Sequence, residues 1–235
     1  MPSVVTIGYA FLGGILPALI WLHFLLKEDE RCPEPRTIIT IAFMAGMLAV
    51  PVVLPLETLA QTLLPDGTPV ILAWAAIEET VKFGLAALFV LWRRDVNESI
   101  DLVIYMLTVA LGFAALENTL FLIQPFGDGQ FLAGLATDNL RFVGSTLLHV
   151  IASSVIGFAL AFAYRWPRVL RAVAAIVGLV LAIALHGVFN FFIINEGGSH
   201  TLLAFFIVWT GAIVFFALFE ILKYFRYATS KKNVC

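Results

Sequence analysis

Long apolar runs separated by short polar breaks dominate this chain. Seven of them are long enough to cross about 30 Å of hydrocarbon. They cover residues 4–26, 38–56, 70–92, 100–123, 139–164, 169–194 and 201–225. The pattern predicts an all-α, polytopic transmembrane bundle of about seven spanning helices, forming a single domain over residues 1–235. The second run contains Pro51 and Pro55, which kink or end helices, so it is placed only as far as residue 56, with 57–64 as a short interfacial segment. Residues 124–138, QPFGDGQFLAGLATD, are glycine-rich and mildly apolar and are expected to form a loop at the membrane surface. The first run is too long for the apolar stretch of a signal peptide and has no basic residue before it. It is therefore expected to be a spanning helix. No internal repeat, low-complexity tract or soluble domain is visible.

Composition strengthens this picture. Hydrophobic residues make up 61% of the chain and charged residues only 13%, against about half and a quarter in soluble globular proteins. The mean hydropathy is +0.99. The net charge of -2 is less informative than where the charges fall. Lys27, Arg31 and Arg36 follow the first run, Arg93 and Arg94 the third, and Arg165, Arg168 and Arg171 lie around the turn after the fifth. Lys223, Arg226, Lys231 and Lys232 lie at the C-terminal end. The positive-inside rule then puts the N-terminus outside and the C-terminus in the cytoplasm of a cell-membrane protein. Of 14 Lys and Arg residues, only Lys82 and Arg141 escape this pattern. Cys32 and Cys235 form neither a CxxC pair nor a disulfide framework, and both fall on the side where thiols stay reduced.

The polar groups at membrane depth carry the candidate chemistry. A charged side chain at a helix centre costs roughly 2.5–3.5 kcal/mol on insertion scales, yet the third run holds Glu78, Glu79 and Lys82. The fourth holds Glu117 and Asn118, the fifth His149 flanked by Ser145, Ser153 and Ser154, and the sixth His186 and Asn190. At about 1.5 Å per residue, Glu78, Glu117, His149 and His186 all fall roughly 10–15 Å below the outer surface. Four helices of alternating direction thus contribute to one layer, as expected for a single buried site. Glu78 and Lys82 stand at i,i+4 and Glu79 and Lys82 at i,i+3, so the lysine can neutralise one carboxylate and leave the other to work.

Four motifs in order along the chain resemble the PrsW family of intramembrane proteases, within the wider superfamily that includes the CAAX prenyl endopeptidases. EETVK (78–82) is similar to the family's EExxK, FAALEN (113–118) to FxxxEN, HVIASSVIG (149–157) to its third, histidine-bearing motif, and HGVFN (186–190) to HxxxN. EDERCPEP (28–35) resembles the acidic loop that follows the family's first helix. The CAAX branch differs. Its arginine lies one residue beyond Lys82, and a histidine stands in place of Glu117, so prenylated substrates are not implied. The resemblance implies hydrolysis of a peptide bond in or at the membrane, with membrane-anchored protein substrates such as single-pass anti-sigma factors cut near the outer face. The lipid bilayer is the other expected partner, and no nucleic acid is expected.

In the mechanism this suggests, Glu78 deprotonates a water with help from His149, and His186 and Asn190 stabilise the oxyanion. Glu79, Lys82, Glu117 and Asn118 set protonation and hold geometry. The residues alone do not distinguish Glu78 from Glu79 as the base. HExxH is absent, so no metal is the first expectation. Zn²⁺ on His149, His186 and Glu78 is the alternative, since two histidines and a carboxylate form a known catalytic zinc set.

Blander readings compete at each position: a structural ion pair for Glu78, Glu79 and Lys82, a helix-packing bond for Glu117 and Asn118, and satisfied core histidines. Arg141 near Asp138 reads as an interfacial anchor, Glu220 and Lys223 as a surface pair, and His23 and His200 as non-functional. An ion- or proton-coupled transporter would also bury such groups, but no inverted repeat is found. A retinal photoreceptor would need a lysine in the middle of its last helix, whereas Lys223 lies at the end. A non-catalytic scaffold of the same fold is the quieter alternative.

Overall fold

The computed structural model of the chain describes residues 3–27, 33–130, 142–195 and 201–229. Among them there are seven α-helices and no strand. In chain order they are α1 (Val4–Lys27), α2 (Arg36–Leu63), α3 (Thr68–Ala86), α4 (Ser99–Gly127), α5 (Leu147–Phe162), α6 (Arg168–Asn190) and α7 (Thr201–Thr229). Wider π turns extend α3 at Ala87–Leu91, precede α5 at Phe142–Thr146 and follow α6 at Phe191–Asn195. Six helices are long and apolar enough to cross a membrane. The remaining one, α3, is set apart by Glu78, Glu79 and Lys82 within its 19 residues. The protein is a multi-pass helical membrane bundle.

Helix α4 is the axis. It is apolar all the way round, as a helix buried inside a bundle should be, and almost every residue from 100 to 115 is buried. Helices α1, α2 and α5 pack directly on it, while α3 and α6 close a ring from α2 to α5. The approach of α2 to α4 depends on two glycines facing each other's backbone. A Cβ at Gly46 would collide with the Val109 carbonyl, and one at Gly112 with the Phe43 carbonyl. Small residues at helix interfaces permit this closeness, which drives association where lipid supplies no hydrophobic force. On α6, Ala175, Gly178, Ala182 and His186 face inward, whereas Val169, Val173, Ile176, Val177 and Val180 are exposed on the side turned to lipid.

Two boundaries differ from the sequence reading. Helix α2 does not end near residue 56; it continues unbroken through Pro51 and Pro55 to Leu63. Both prolines face outward, and a spanning helix tolerates the lost backbone bonds where surrounding groups satisfy the freed carbonyls. Helix α4 likewise runs through Pro125 to Gly127, so the loop expected at 124–138 begins later. Residues 131–141, including Asp138 and Arg141, lie outside the described residues. So do Arg31, Cys32, His200, Lys231, Lys232 and Cys235.

At the arginine-rich end the helix starts are tied down. The Asp101 carboxylate accepts the backbone N–H groups of Asn97 at 2.9 Å and Glu98 at 2.8 Å, capping α4. The Tyr105 hydroxyl donates to Glu34 of the Glu-Pro segment before α2. The expected surface pair forms at the end of α7, Lys223 to Glu220 at 2.6 Å.

Candidate active site

Helices α3, α4, α5 and α6 meet around one cluster of ionisable side chains. Lys82 is fully buried, and its ammonium lies 2.5 Å from Glu79 Oε1, 3.1 Å from His149 Nδ1 and 3.7 Å from Glu78 Oε2. It also sits 4.4 Å from the centre of the Phe113 ring, a cation–π contact strengthened by the absence of water. Phe113 is the first residue of FAALEN, and its ring packs edge-on to His149, with centroids 5.0 Å apart.

The two neighbouring glutamates have opposite environments. Glu79 is fully satisfied. Its Oε1 takes Lys82 and His186 Nδ1, the latter at 2.8 Å, and its Oε2 accepts the Ser153 hydroxyl at 2.8 Å. A buried carboxylate with a cation and two further hydrogen bonds is held in place. Glu78 Oε2 is also buried but has no hydrogen-bond partner. It faces Lys82, His149 Nδ1 at 3.8 Å and His186 Nε2 at 3.9 Å, each beyond bonding distance. An orphaned carboxylate oxygen surrounded by nitrogen groups is where a reacting atom or ion fits.

Both histidines are oriented by a carboxylate on the far side of the ring. His149 Nε2 lies 3.1 Å from Glu117 Oε2, and His186 Nδ1 bonds Glu79. With those N–H groups donated to carboxylates, His149 Nδ1 accepts from the Lys82 ammonium at 3.1 Å and His186 Nε2 turns its lone pair towards Glu78. Asn118 donates to the Thr146 hydroxyl at 2.9 Å, tying α4 to the π turn that leads into His149. Asn190 lies one helical turn beyond His186, half-buried at the end of α6.

Glu57, which the sequence reading left in an interfacial segment, also joins the site. It continues the α2 stripe of Val50 and Val53, which packs on Phe113 beside Ile77 and Val81. Trp74 on α3 donates its indole N–H to the Glu57 carbonyl at 3.3 Å. The Glu57 carboxyl lies within hydrogen-bonding reach of Glu78 and feels the charges of Glu117 and Lys82. Ser153 was noted only as a neighbour of His149, and it now fixes Glu79. The available signal was position: Ser153 falls one turn after His149, and Glu57 one turn after Val53 on a helix allowed to pass its prolines. His23 is exposed on α1, away from the cluster.

Residues 34–222 match the family model described as PrsW family intramembrane metalloprotease. The chain belongs to the PrsW family. It is similar to proteins named Protease PrsW, at 26% identity over 193 residues in Clostridioides difficile, covering 79% of each chain. In Geobacillus kaustophilus the identity is 26% over 190 residues, covering 78% of this chain and 79% of the relative. In Bacillus subtilis it is 25% over 182 residues, covering 76% and 80%. No solved structure matches. As a PrsW family intramembrane protease, the chain acts on membrane-embedded protein substrates in a lipid bilayer.

The family description names a metal, and the residues fit one. Glu78, His149 and His186 each offer a ligand atom within 4.8 Å of the others. Carboxylates behind both imidazoles are the usual supports of ligating histidines. Glu57, Glu78, Glu79 and Glu117 bring four carboxyl groups to the cluster, and Lys82 is its one ammonium among the described residues.

Proposed function

We propose that this chain cleaves a peptide bond of a membrane-anchored protein in the outer half of the bilayer, with water activated in the cluster of Glu78, His149 and His186. A single-pass anti-sigma factor is the kind of substrate in view. The observation that carries the reading is the buried Glu78 Oε2, without a hydrogen-bond partner and facing one ring nitrogen each of His149 and His186. Glu78 accepts the proton of the attacking water as its oxygen adds to the scissile carbonyl carbon. The Asn190 amide donates to the developing oxyanion, an interaction typically worth about 10²–10³ in rate. The proton then passes to the amide nitrogen as the C–N bond breaks, freeing an amine and a carboxylate. Glu79 and Glu117 do not react; they hold His186 and His149 in their tautomers, and Glu79 neutralises Lys82.

A divalent ion, Zn²⁺ by its donor set, would be held by Glu78, His149 and His186, and would supply a Lewis acid and a more acidic water. Water activated by glutamate alone is the second reading. It is favoured by the Lys82 ammonium, 3.1 Å from the same His149 Nδ1 that an ion would need. Cleavage of a single-pass substrate in proteoliposomes, before and after a tight chelator, separates the two. Loss of activity restored by Zn²⁺ supports the ion, and unchanged activity supports glutamate alone. Wild-type rates in Glu78→Gln would remove Glu78 from catalysis under either reading.

A further inference from the structure

Far from the cluster, at the arginine-rich end of the bundle, a cavity of about 420 Å³ opens between the end of α3, the start of α4, the end of α5 and the start of α6. Its walls include Trp92, Arg93, Val96, Leu160, Tyr164 and Arg171. Arg171 reaches across from α6. Its guanidinium lies 5.8 Å from the Trp92 ring, and one Nη donates to the Tyr164 carbonyl at a long 3.4 Å. Its Nε is buried with no hydrogen-bond partner, although buried guanidinium nitrogens are ordinarily bonded. Arg93 contacts Asp95 through Nε alone among the described residues, at 3.2 Å, and the pair is largely exposed.

Arg94, Arg165 and Arg168 add positive charge at the same end. Of the acids at this end, Asp95 pairs with Arg93, Glu34 accepts the Tyr105 hydroxyl and Asp101 is engaged by the backbone cap of α4, beside Glu98. A second hollow, of about 510 Å³, shares Trp92 and Arg93 with the first and continues along α3 past Leu88, Ala87 and Gly84. Leu88 and Trp92, just beyond the end of α3, are exposed apolar side chains, so this hollow faces lipid tails.

A basic cavity at headgroup level, bordering an apolar groove that runs into the hydrocarbon, has the two-part chemistry of an anionic phospholipid. We propose that this end of the protease is a binding site for an anionic phospholipid of the cytoplasmic leaflet, its phosphate between Arg93 and Arg171 and an acyl chain along Gly84, Ala87 and Leu88. Basic pockets between spanning helices on the cytoplasmic side suit such headgroups. The site is separate from the catalytic cluster and holds whether or not a metal is used there.

The test uses the full chain in a neutral detergent. Thermal unfolding is followed against added phosphatidylglycerol, phosphatidylcholine, glycerol phosphate and inorganic phosphate, and lipid carried through purification is counted by mass spectrometry. Phosphatidylglycerol is expected to raise the unfolding temperature saturably and phosphatidylcholine is not. Each of Arg93→Gln and Arg171→Gln weakens the effect about fivefold, the weight of one arginine near an anionic surface.

Arg171 also braces Tyr164, so a second variant avoids the fold. A Cβ at Gly84 meets nothing within 4 Å, so Gly84→Phe can extend its ring into the groove from an open backbone position. It is expected to lose the response to phosphatidylglycerol while unfolding like wild type in detergent alone. Equal responses to both lipids, or wild-type lipid binding in Arg93→Gln and Gly84→Phe together, would overturn the proposal. A response to inorganic phosphate that matches phosphatidylglycerol would also overturn it, in favour of a free-phosphate site.

Discussion

Removing the Lys82 charge is the sharpest probe of the buried network. Lys82→Met keeps most of the side-chain volume and deletes the ammonium that faces Glu78 and Glu79. Breaking a buried pair by removing one member costs about 3–5 kcal/mol, because the remaining charge is left uncompensated. The converse variant is gentler. In Glu79→Gln the ammonium loses Glu79 at 2.5 Å but keeps Glu78 at 3.7 Å, which retains about 40% of the summed attraction of the two carboxylates, since it falls as 1/r. The amide still has an oxygen for one of its former donors, so a loss of about 1–3 kcal/mol is expected, the range for a buried polar group left short of partners. The double variant Lys82→Met/Glu79→Gln removes both charges of the tightest pair and should be more stable than Lys82→Met alone. It should remain inactive, because His186 has lost its orienting carboxylate. Equilibrium unfolding in bicelles gives the three stabilities, and cleavage of a single-pass substrate gives the rates. Lys82→Met as stable as wild type, or no recovery in the double variant, would refute the buried pair as the element holding α3 in the bundle.

Three further outcomes follow from the geometry. Glu57→Leu is expected to lower kcat at least about tenfold with little change in stability, since Glu57 is half-buried beside Glu78, whereas a residue of an interfacial segment would leave kcat alone; steady-state kinetics decide between them. Gly112→Val should destabilise by about 3 kcal/mol or more, because its side chain meets the Phe43 backbone and helix backbones cannot yield as side chains can, which unfolding in bicelles will read. Ser153→Ala removes one hydrogen bond from Glu79 and should cost about 1–2 kcal/mol while reducing kcat more than KM, as expected if Glu79 positions His186; an equal effect on both would place Ser153 with substrate binding.

The layer of polar groups was readable because helix rise and alternating direction convert sequence position into depth. Glu78, Glu117, His149 and His186 were assigned one level, and their side chains do meet. The α2 end was not readable, because local rules treat Pro51 and Pro55 as breaks. The cost of a proline depends on whether its freed carbonyls find other donors, and that is settled by tertiary surroundings. With α2 cut short, Glu57 fell outside the membrane in the reading, and the fourth carboxylate of the cluster went unseen. Ser153 was missed for a different reason. A serine one turn from a histidine is common on any helix, and only the position of α3 reveals that its hydroxyl points at Glu79.

The division of labour between Glu78 and Glu79 lies beyond sequence altogether, since adjacent identical residues carry no distinguishing signal. On a helix they point about 100° apart, and the bundle gives those two directions different neighbours. One direction meets Lys82, Ser153 and His186 Nδ1, a set of donors that saturates a carboxylate and fixes it. The other meets two imidazole nitrogens at 3.8 and 3.9 Å, the Lys82 ammonium at 3.7 Å and another carboxyl group, none of which bonds its Oε2. A saturated glutamate makes a poor proton acceptor and a good brace; an unsatisfied one, buried among bases, must take a proton, a water or a cation. In the proposed mechanism the pair divides into brace and reagent, and exchanging the surroundings rather than the residues would exchange the roles. Ser153→Ala combined with Lys82→Met strips the brace. It should leave Glu79 Oε2 as unbonded as Glu78 Oε2, with Oε1 still held by His186 at 2.8 Å, and cleavage of a single-pass substrate should fall below that of Ser153→Ala alone.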